Sequence, residues 1–317
     1  MYLEKYLSGS IFPEATPVDY AIIGGLNFSM AMVVAPAVNV VSRKYRMQIP
    51  MLFGIVLLAM GFVSASFAKR IWHLYLSQGL LVGFGVGFTY IPTISIVPQW
   101  FERKRSLANG ICAAGSGIGG LIFSFMSDAV IRNISLRWSL RLTATVSCSV
   151  LLVATFLIRD RNDIVRPTQR GLDLQLLARR QVIFLLMWSF LITWGYVILL
   201  FSLPDYARSV GLSDHQAGIL NAVLNLGTAI GRPLIGIASD HLGRIEVAGV
   251  ITLISGLSCL VIWLPATSYA ALIFFSVFIG GMFGIFWVVS GLHRSTTFGR
   301  KNNSEICRPS VLSLLRL

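Results

Sequence analysis

Charged residues are scarce in this chain of 317 residues: Asp, Glu, Lys and Arg together make up 12% of it, about half of their share in an average soluble domain. Its four cysteines are scattered, and their spacing fits neither a disulfide framework nor a metal site. The four histidines do not cluster either, and no pairing of a nucleophile with a base is visible. We therefore expect no catalytic residue, no metal site and no cofactor, and we predict that the protein is not an enzyme.

Long apolar runs fill most of the sequence, in which 55% of the residues are hydrophobic. Each run has roughly 20 residues or more, enough for a helix to cross the ~30 Å hydrocarbon core of a bilayer and too many for a buried strand. The nine runs occupy residues 18–41, 50–68, 73–98, 106–130, 138–158, 182–203, 215–238, 246–265 and 270–292. The sequence thus predicts an all-α polytopic membrane protein with about nine transmembrane helices.

Basic residues outnumber acidic ones by 26 to 13, which gives a net charge of +13. In a soluble chain this excess would favour nucleic-acid binding. Here 18 of the 26 cations lie in alternate connections between the apolar runs, and only seven lie in the opposite connections. The positive-inside rule makes the more basic set cytosolic. Membrane topology therefore explains the charge, and we expect the lipid bilayer, not nucleic acid, as a partner.

The longest polar connection divides the apolar runs into a group of five and a group of four. One run in each group carries glycines four residues apart: Gly79, Gly83 and Gly87 in the first group, Gly280 and Gly284 in the second. This spacing lets membrane helices pack closely. We predict an N-terminal helical half over 1–158, a cytosolic linker over 159–181, a C-terminal helical half over 182–292 and a polar tail over 293–317.

Two stretches of sequence resemble a known family. Trp100–Gly119 joins an aromatic pair and a basic cluster to a run of small residues, and Ser239–Arg244 keeps an Asp-x-x-Gly-Arg type sequence. Both are similar to the monocarboxylate-porter family of the major facilitator superfamily, and Phe12–Pro17 is most like its fungal members. The resemblance implies the major facilitator fold, two six-helix halves joined by a cytosolic linker. The nine runs then correspond to its second to tenth helices, and equivalents of helices 1, 11 and 12 are missing.

The resemblance also implies a function. Members of the family are secondary transporters that move small organic acids or related anionic metabolites by alternating access. Some fungal relatives export secondary metabolites, so an efflux carrier is one alternative. Another alternative is a truncated membrane protein that does not transport, because three helices are missing. The expected protein is monomeric and spans the cell membrane several times.

A polar stripe crosses the apolar run 215–238. Spacings of 4, 3 and 4 residues place its members, Asn221, Asn225, Thr228 and Arg232, on one face of a helix. A cation within a membrane helix costs ~2.5–3.5 kcal/mol at the bilayer centre, so we expect Arg232 to face a cavity or a partner. The stripe offers hydrogen-bond donors and a positive charge, which are the groups that bind a carboxylate. Alternatively, Arg232 extends to the cytosolic interface and pairs with Asp240.

The resemblance assigns roles to individual residues. The Arg-Pro pair of the family's eighth helix, here Arg232-Pro233, is associated with binding the substrate anion, so we expect the four stripe residues to bind substrate. Thr228 stands where the family often has an Asp linked to proton movement, so proton symport is not supported. Gating is expected of four residues in the two matching motifs: Asp240, Arg244, Arg103 and Arg105. For Arg103 and Arg105, a charge that only sets the membrane topology is the alternative.

Overall fold

The computed structural model describes residue 12 and residues 15–101, 104–159 and 180–285, which form a helical bundle without any β-strand among them. Each of the nine predicted runs contains a helix. Eight of the helices are long and apolar enough to cross a membrane, and the ninth is a shorter apolar helix of 14 residues. The prediction of an all-α polytopic membrane protein is confirmed. The polar tail, most of the predicted linker and Arg103 lie outside the described residues.

The N-terminal helices are α1 (Pro17–Val33, continued by Ala35–Lys44), α2 (Gln48–Ser66), α3 (Ile71–Leu74, Tyr75–Leu81 and Val82–Trp100), α4 (Arg105–Asn133) and α5 (Leu136–Leu157). The C-terminal helices are α6 (Arg180–Ser209), α7 (Asp214–Leu242), α8 (Arg244–Ser258 and Cys259–Trp263) and α9 (Tyr269–Met282). The segments Tyr75–Leu81 and Cys259–Trp263 are π-helical turns within spans that are otherwise α-helical.

Polar side chains define the starts of two long helices. Before α1, Thr16 Oγ1 accepts a hydrogen bond from the Asp19 backbone N–H at 3.4 Å, and the Asp19 carboxylate accepts one from the Thr16 N–H at 2.8 Å. Ser213 and Gln216 form the same reciprocal pair at the start of α7. These pairs satisfy backbone N–H groups that have no partner within the helix. Because the pairs are local, the sequence alone indicates where these helices begin.

The π turn of α3 is bound to α1. A π turn has hydrogen bonds between residues i and i+5, and it occurs mostly as a single turn within an α-helix. The Asn27 side chain of α1 donates from Nδ2 to the Gln78 carbonyl oxygen in this turn, at 2.8 Å. One turn later the backbones nearly touch, since a Cβ on Gly83 would lie 2.7 Å from the Asn27 carbonyl oxygen. Asn27 therefore fixes α1 and α3 to each other at the irregular turn.

Each group of helices packs around one or two central members. Among the N-terminal helices, α3 packs along α1 and α2, and α2 also packs along α5. Among the C-terminal helices, α7 packs along α9, with α6 and α8 beside it. The largest contact in the described structure joins α4 to α7, one helix from each group. This contact determines what surrounds the polar stripe of α7.

Large apolar side chains cover the outside of the bundle. Phe156, Leu157 and Phe184 have 65%, 77% and 70% of their surface exposed, and many other large apolar side chains are exposed around the described helices. Soluble proteins rarely expose contiguous apolar patches larger than a few hundred Å². Hydrocarbon tails of lipids, by contrast, match such a surface. Together with the long apolar helices, it identifies a multi-pass membrane protein.

Candidate functional site

α7 lies so close to α4 and α9 that the facing positions require glycine. On the α4 side, a Cβ on Gly110 would lie 2.5 Å from the Arg232 carbonyl oxygen, and one on Gly117 would lie 2.6 Å from that of Asn225. On the α9 side, a Cβ on Gly280 would overlap the Leu224 carbonyl group. Small residues permit this approach of backbones in membrane helices. The small residues of α4 thus allow α4 to lie directly against the polar stripe.

Arg232 is a buried cation within this contact. Only 5% of its surface is exposed, and its Nη1 group donates to the Ala113 carbonyl oxygen at 2.7 Å and to Ser116 Oγ, both on α4. Its Nε–H group is buried and has no hydrogen-bond partner among the described residues. Among the described residues, no carboxylate forms an ion pair with Arg232. A buried guanidinium without a counter-charge is costly, so a bound anion would stabilise this site.

Residues from two further helices and from the segment after α9 lie near the cation. Tyr90 of α3 and Tyr196 of α6 are neighbours of Arg232. The ring of Tyr196 contacts that of Phe283, directly after α9, with 5.7 Å between the ring centroids. The next residue, Gly284, packs against the Arg232 side chain, where a Cβ would lie 2.9 Å from Cδ. Arg232 therefore lies where both helix groups meet, with two phenol groups nearby that are able to donate to an anion.

The other members of the stripe contact different neighbours. Asn225 donates from Nδ2 to the Asn221 carbonyl oxygen at 3.0 Å, and its amide lies against α4, because a Cβ on Gly120 would lie 2.7 Å from Oδ1. Thr228 is buried, and its hydroxyl contacts the Leu224 and Gly280 carbonyl oxygens at 3.0 and 3.1 Å. The structure thus brings Arg232 and Asn225 to α4, whereas Thr228 joins α7 to α9.

Asp240, at the end of α7, binds the start of α4. Its carboxylate accepts hydrogen bonds from the backbone N–H groups of Ser106 at 3.1 Å and Leu107 at 2.9 Å. These belong to the first turn of α4, where N–H groups lack partners within the helix and the helix dipole favours negative charge. An ion pair between Asp240 and Arg232 is not formed, since each side chain binds a different part of α4.

The described basic residues expected at the gate lie at the start of α4 and directly after α7, the two helix ends that Asp240 joins. Arg105 is the first residue of α4, and its Nε–H donates to the Phe101 carbonyl oxygen at 2.8 Å. Arg244 is the first residue of α8 and follows Gly243, whose φ of +105° is a conformation that favours glycine. Arg103 lies outside the described residues. No hydrogen bond or ion pair joins Arg105 to Arg244 or Asp240 in the described structure.

Tyr90 and Ser116 contribute to the surroundings of Arg232, but the polar stripe of α7 does not indicate them. Both lie on other helices, 142 and 116 positions away in the sequence. A tyrosine within an apolar run was the available signal for Tyr90, because such a hydroxyl needs a polar neighbour in a membrane. Ser116 lies in a run of small residues, which indicates close helix packing but not which helix packs against it.

The sequence matches the Major Facilitator Superfamily over residues 2–288. Among curated proteins, it is 32% identical over 292 residues to the probable transporter MCH2 of Saccharomyces cerevisiae, covering 90% of this chain and 62% of that protein. It is 32% identical over 296 residues to the uncharacterized transporter ESBP6 of the same yeast, covering 89% of this chain and 44% of the relative. The agnestins efflux protein AgnL12 of Paecilomyces divaricatus is 26% identical over 278 residues, 87% of this chain and 64% of that protein.

The chain thus spans less than two thirds of the length of these three relatives. The match of the family nevertheless covers most of the chain, and the relatives carry the names of transporters, not of enzymes. The helical bundle, its apolar surface and the contact between two groups of helices agree with that match. The chain belongs to the Major Facilitator Superfamily.

Proposed function

We propose that the protein is a secondary transporter that moves a small organic acid or a related anionic metabolite across a membrane by alternating access. The observation that carries this proposal is Arg232, a buried cation with an unpartnered Nε–H and no carboxylate beside it in the described structure. Both of its hydrogen bonds to α4 come from Nη1, which leaves Nε and Nη2 to balance an anion. Guanidinium and carboxylate groups are complementary in charge and shape.

The same geometry supports alternating access. We propose the helices of 1–158 and of 182–292 as the two moving units, with 159–181 as a cytosolic linker and 293–317 as a polar tail. Arg232 belongs to one unit and hydrogen-bonds to the other, so a cargo at this position would contact both. Substrate sites at the interface of two repeats are typical of such transporters. Asn225, Asn221 and Thr228 are proposed to shape the site beside Arg232.

Asp240 is the proposed gate at the end of α7. Opening the bundle there requires its hydrogen bonds to Ser106 and Leu107 to break, because they hold α4 against α7. Charge-assisted hydrogen bonds of this kind are strong enough to bias a conformational equilibrium. Arg244, Arg103 and Arg105 are proposed to act at the same gate, on the cytosolic side that the basic connections indicate.

Export is the second candidate function. Two similar proteins are named efflux proteins, one for agnestins and one, from Gibberella fujikuroi, for fujikurins. The resemblance to monocarboxylate porters favours an organic acid, whichever the direction of movement. We further propose that the protein works as a monomer in the cell membrane, with the bilayer and its cargo as partners and no nucleic acid. Uptake into sealed vesicles of opposite orientation would distinguish import from export.

Binding of benzoate to the purified protein in detergent tests the anion site. Arg232→Gln should weaken binding about ten- to hundredfold, because a hydrogen bond to a charged group contributes ≈ 1.5–3 kcal/mol. Arg232→Lys should restore only part of the affinity, because an ammonium keeps the charge and loses the planar fork. Asn225→Leu should weaken binding less than Arg232→Gln, since Asn225 adds no charge.

Arg208→Gln is the matched control, because Arg208 pairs with Asp205 at 2.9 Å at the exposed end of α6. It should bind benzoate like the wild type. Unchanged binding in Arg232→Gln would remove Arg232 from the site. The interface alternative gives another result: Arg232→Lys would be nearly neutral, and Arg232→Gln would reduce the amount of folded protein without changing the affinity.

A further inference from the structure

Two buried hydroxyl groups lie where the end of α7 meets the start of α4. Ser106 of α4 and Ser239 of α7 have 0% and 1% of their surface exposed, and neither hydroxyl has a hydrogen-bond partner in the described structure. They lie next to the hydrogen bonds that the Asp240 carboxylate accepts from the backbone N–H groups of Ser106 and Leu107. We call these two hydrogen bonds the gate contact.

The backbones of α4 and α7 touch at the gate contact. A Cβ on Gly236 would lie 2.6 Å from the Ser106 carbonyl oxygen and 2.8 Å from the Leu107 Cα. Ser239 follows Gly236 by three residues, less than one helical turn, so it lies beside this close approach. Both serine oxygens are enclosed by protein atoms. In this conformation, therefore, neither water nor a ligand reaches them to supply the missing partner.

Buried serines of other helices find acceptors. Ser276 of α9, with 0% of its surface exposed, donates to the Leu272 carbonyl oxygen at 2.7 Å, and Ser258 of α8 donates to that of Ser255 at 2.8 Å. A buried hydroxyl without a partner is costly. Ser106 and Ser239 therefore raise the free energy of the closed arrangement. Separation of α4 from α7 at this end would let water reach both hydroxyls and would remove that cost.

We infer that the gate contact is a two-state element on which the protein acts in both directions. Asp240 closes it through two charge-assisted hydrogen bonds, and the hydroxyl groups of Ser106 and Ser239 favour its opening. Opening then costs less free energy than the loss of the Asp240 hydrogen bonds alone would require. The inference rests on the proposed function, because it takes this contact as the gate of alternating access. It adds the two residues that set how easily the gate opens.

Hydrogen–deuterium exchange of the full chain in detergent tests the inference. The backbone N–H groups of Ser106 and Leu107, here the gate amides, exchange when the gate contact opens. Ser239→Ala should slow their exchange about five- to hundredfold, because it removes an unpaired buried hydroxyl from the closed state. The substitution is on α7 and the gate amides are on α4, so the helix propensity of Ala does not act on them directly.

Ser276→Ala is the matched control, because it removes a buried hydroxyl that has an acceptor. It should lower the thermal unfolding temperature and leave the gate amides unchanged. Asp240→Ala should speed the exchange of the gate amides, because both lose their acceptor. Ala271 is an internal reference at the start of α9, where its N–H donates to Ser268 Oγ at 3.3 Å, and it should exchange at one rate in Ser239→Ala and the wild type.

Unchanged exchange of the gate amides in Ser239→Ala would overturn the inference, because the hydroxyl would then have no influence on opening. Equal slowing in Ser276→Ala would overturn it as well, since the effect would not belong to the gate contact. The measurement needs no cargo, so it is independent of the anion site. Unchanged benzoate binding in Arg232→Gln would contradict the proposed function, whereas unchanged exchange in Ser239→Ala would contradict only this inference.

Discussion

Arg232 and Asp240 are opposite charges on one helix, and they differ in how completely their hydrogen-bonding groups find partners. They are eight residues apart along α7, about 12 Å at the rise of an α-helix, and each binds a different part of α4. Asp240 accepts two backbone N–H groups from the start of a helix, where negative charge is favoured. Arg232 donates to one carbonyl and one hydroxyl group and keeps a buried N–H without a partner in the described structure.

Under the proposed function, this difference is one between a structural charge, Asp240, and a binding charge, Arg232. The protein supplies the half-buried carboxylate of Asp240 with two hydrogen-bond donors, so Asp240 should stabilise the fold. It supplies Arg232 with only part of what a buried cation needs, so Arg232 should cost stability. Unsatisfied groups of this kind are retained at functional sites, where a ligand completes them. Substitutions at the two positions should therefore have opposite effects on stability.

The largest expected effect is at Arg232. Arg232→Met should leave the free energy of unfolding unchanged or raise it by about 1–4 kcal/mol, because an apolar side chain removes a buried charge without a counter-ion. The same variant should lose benzoate binding. Reversible unfolding of the purified protein in mixed micelles measures the first effect. A loss of stability above about 1 kcal/mol would show that Arg232 is a structural residue, and the comparison with Asp240 would no longer hold.

Asp240→Ala should have the opposite sign. It should lower the free energy of unfolding by about 2 kcal/mol, because Ala removes the acceptor from two backbone N–H groups at a helix start. Asp240→Asn is the control, since Asn caps helix starts nearly as well as Asp and should cost much less. The same unfolding assay measures both. Equal losses in the two variants would mean that the charge, and not the cap, is what matters at this position.

Thr228→Val should cost about 1 kcal/mol, because it removes the hydroxyl that contacts Gly280 on α9 and keeps the shape of the side chain. Thr155→Val is the matched control: Thr155 is also buried, but its hydroxyl donates to Leu151 within its own helix, at 2.7 Å. The control should lose less stability in the same assay. If the two variants lose the same amount, the contact between α7 and α9 contributes nothing measurable.

The smallest expected effect is the coupling energy between Arg232 and Asp240. The stability changes of Arg232→Met and Asp240→Ala should add in the double variant to within about 0.5 kcal/mol, because the two side chains share no partner atom. The alternative that Arg232 pairs with Asp240 predicts a larger coupling energy. A double-mutant cycle in mixed micelles gives this number directly.

The sequence was sufficient to predict the helices. Uninterrupted apolar runs and local caps such as Ser213 with Gln216 depend on neighbours in the chain, so their positions follow from composition and spacing. The shorter ninth helix is the main difference in the described range, since the predicted run extends to residue 292 and α9 ends at Met282. The residues after 285 lie outside the described structure.

The neighbours of the polar side chains could not be predicted in the same way. Helical spacing shows that Thr228 and Arg232 share a face, but not that Thr228 meets Gly280 and Arg232 meets Ser116. Pairing with Arg232 was one expectation for Asp240, and Asp240 instead caps α4, which begins 135 residues earlier. Such contacts depend on which helices pack together, and a single sequence does not record that arrangement.

The π turn of α3 has a consequence for the orientation of Tyr90. A π turn contains one residue more than the α-helical turn it replaces, and one residue corresponds to about 100° of rotation around a helix. Tyr90 follows the turn Tyr75–Leu81 by nine residues, so the direction of its ring depends on the extra residue. Deleting one residue from the turn would rotate Tyr90 away from Arg232, and inserting one would rotate it the other way. The hydrogen bond from Asn27 to the Gln78 carbonyl therefore fixes the rotation of α3 about its axis, and with it the direction in which Tyr90 faces Arg232.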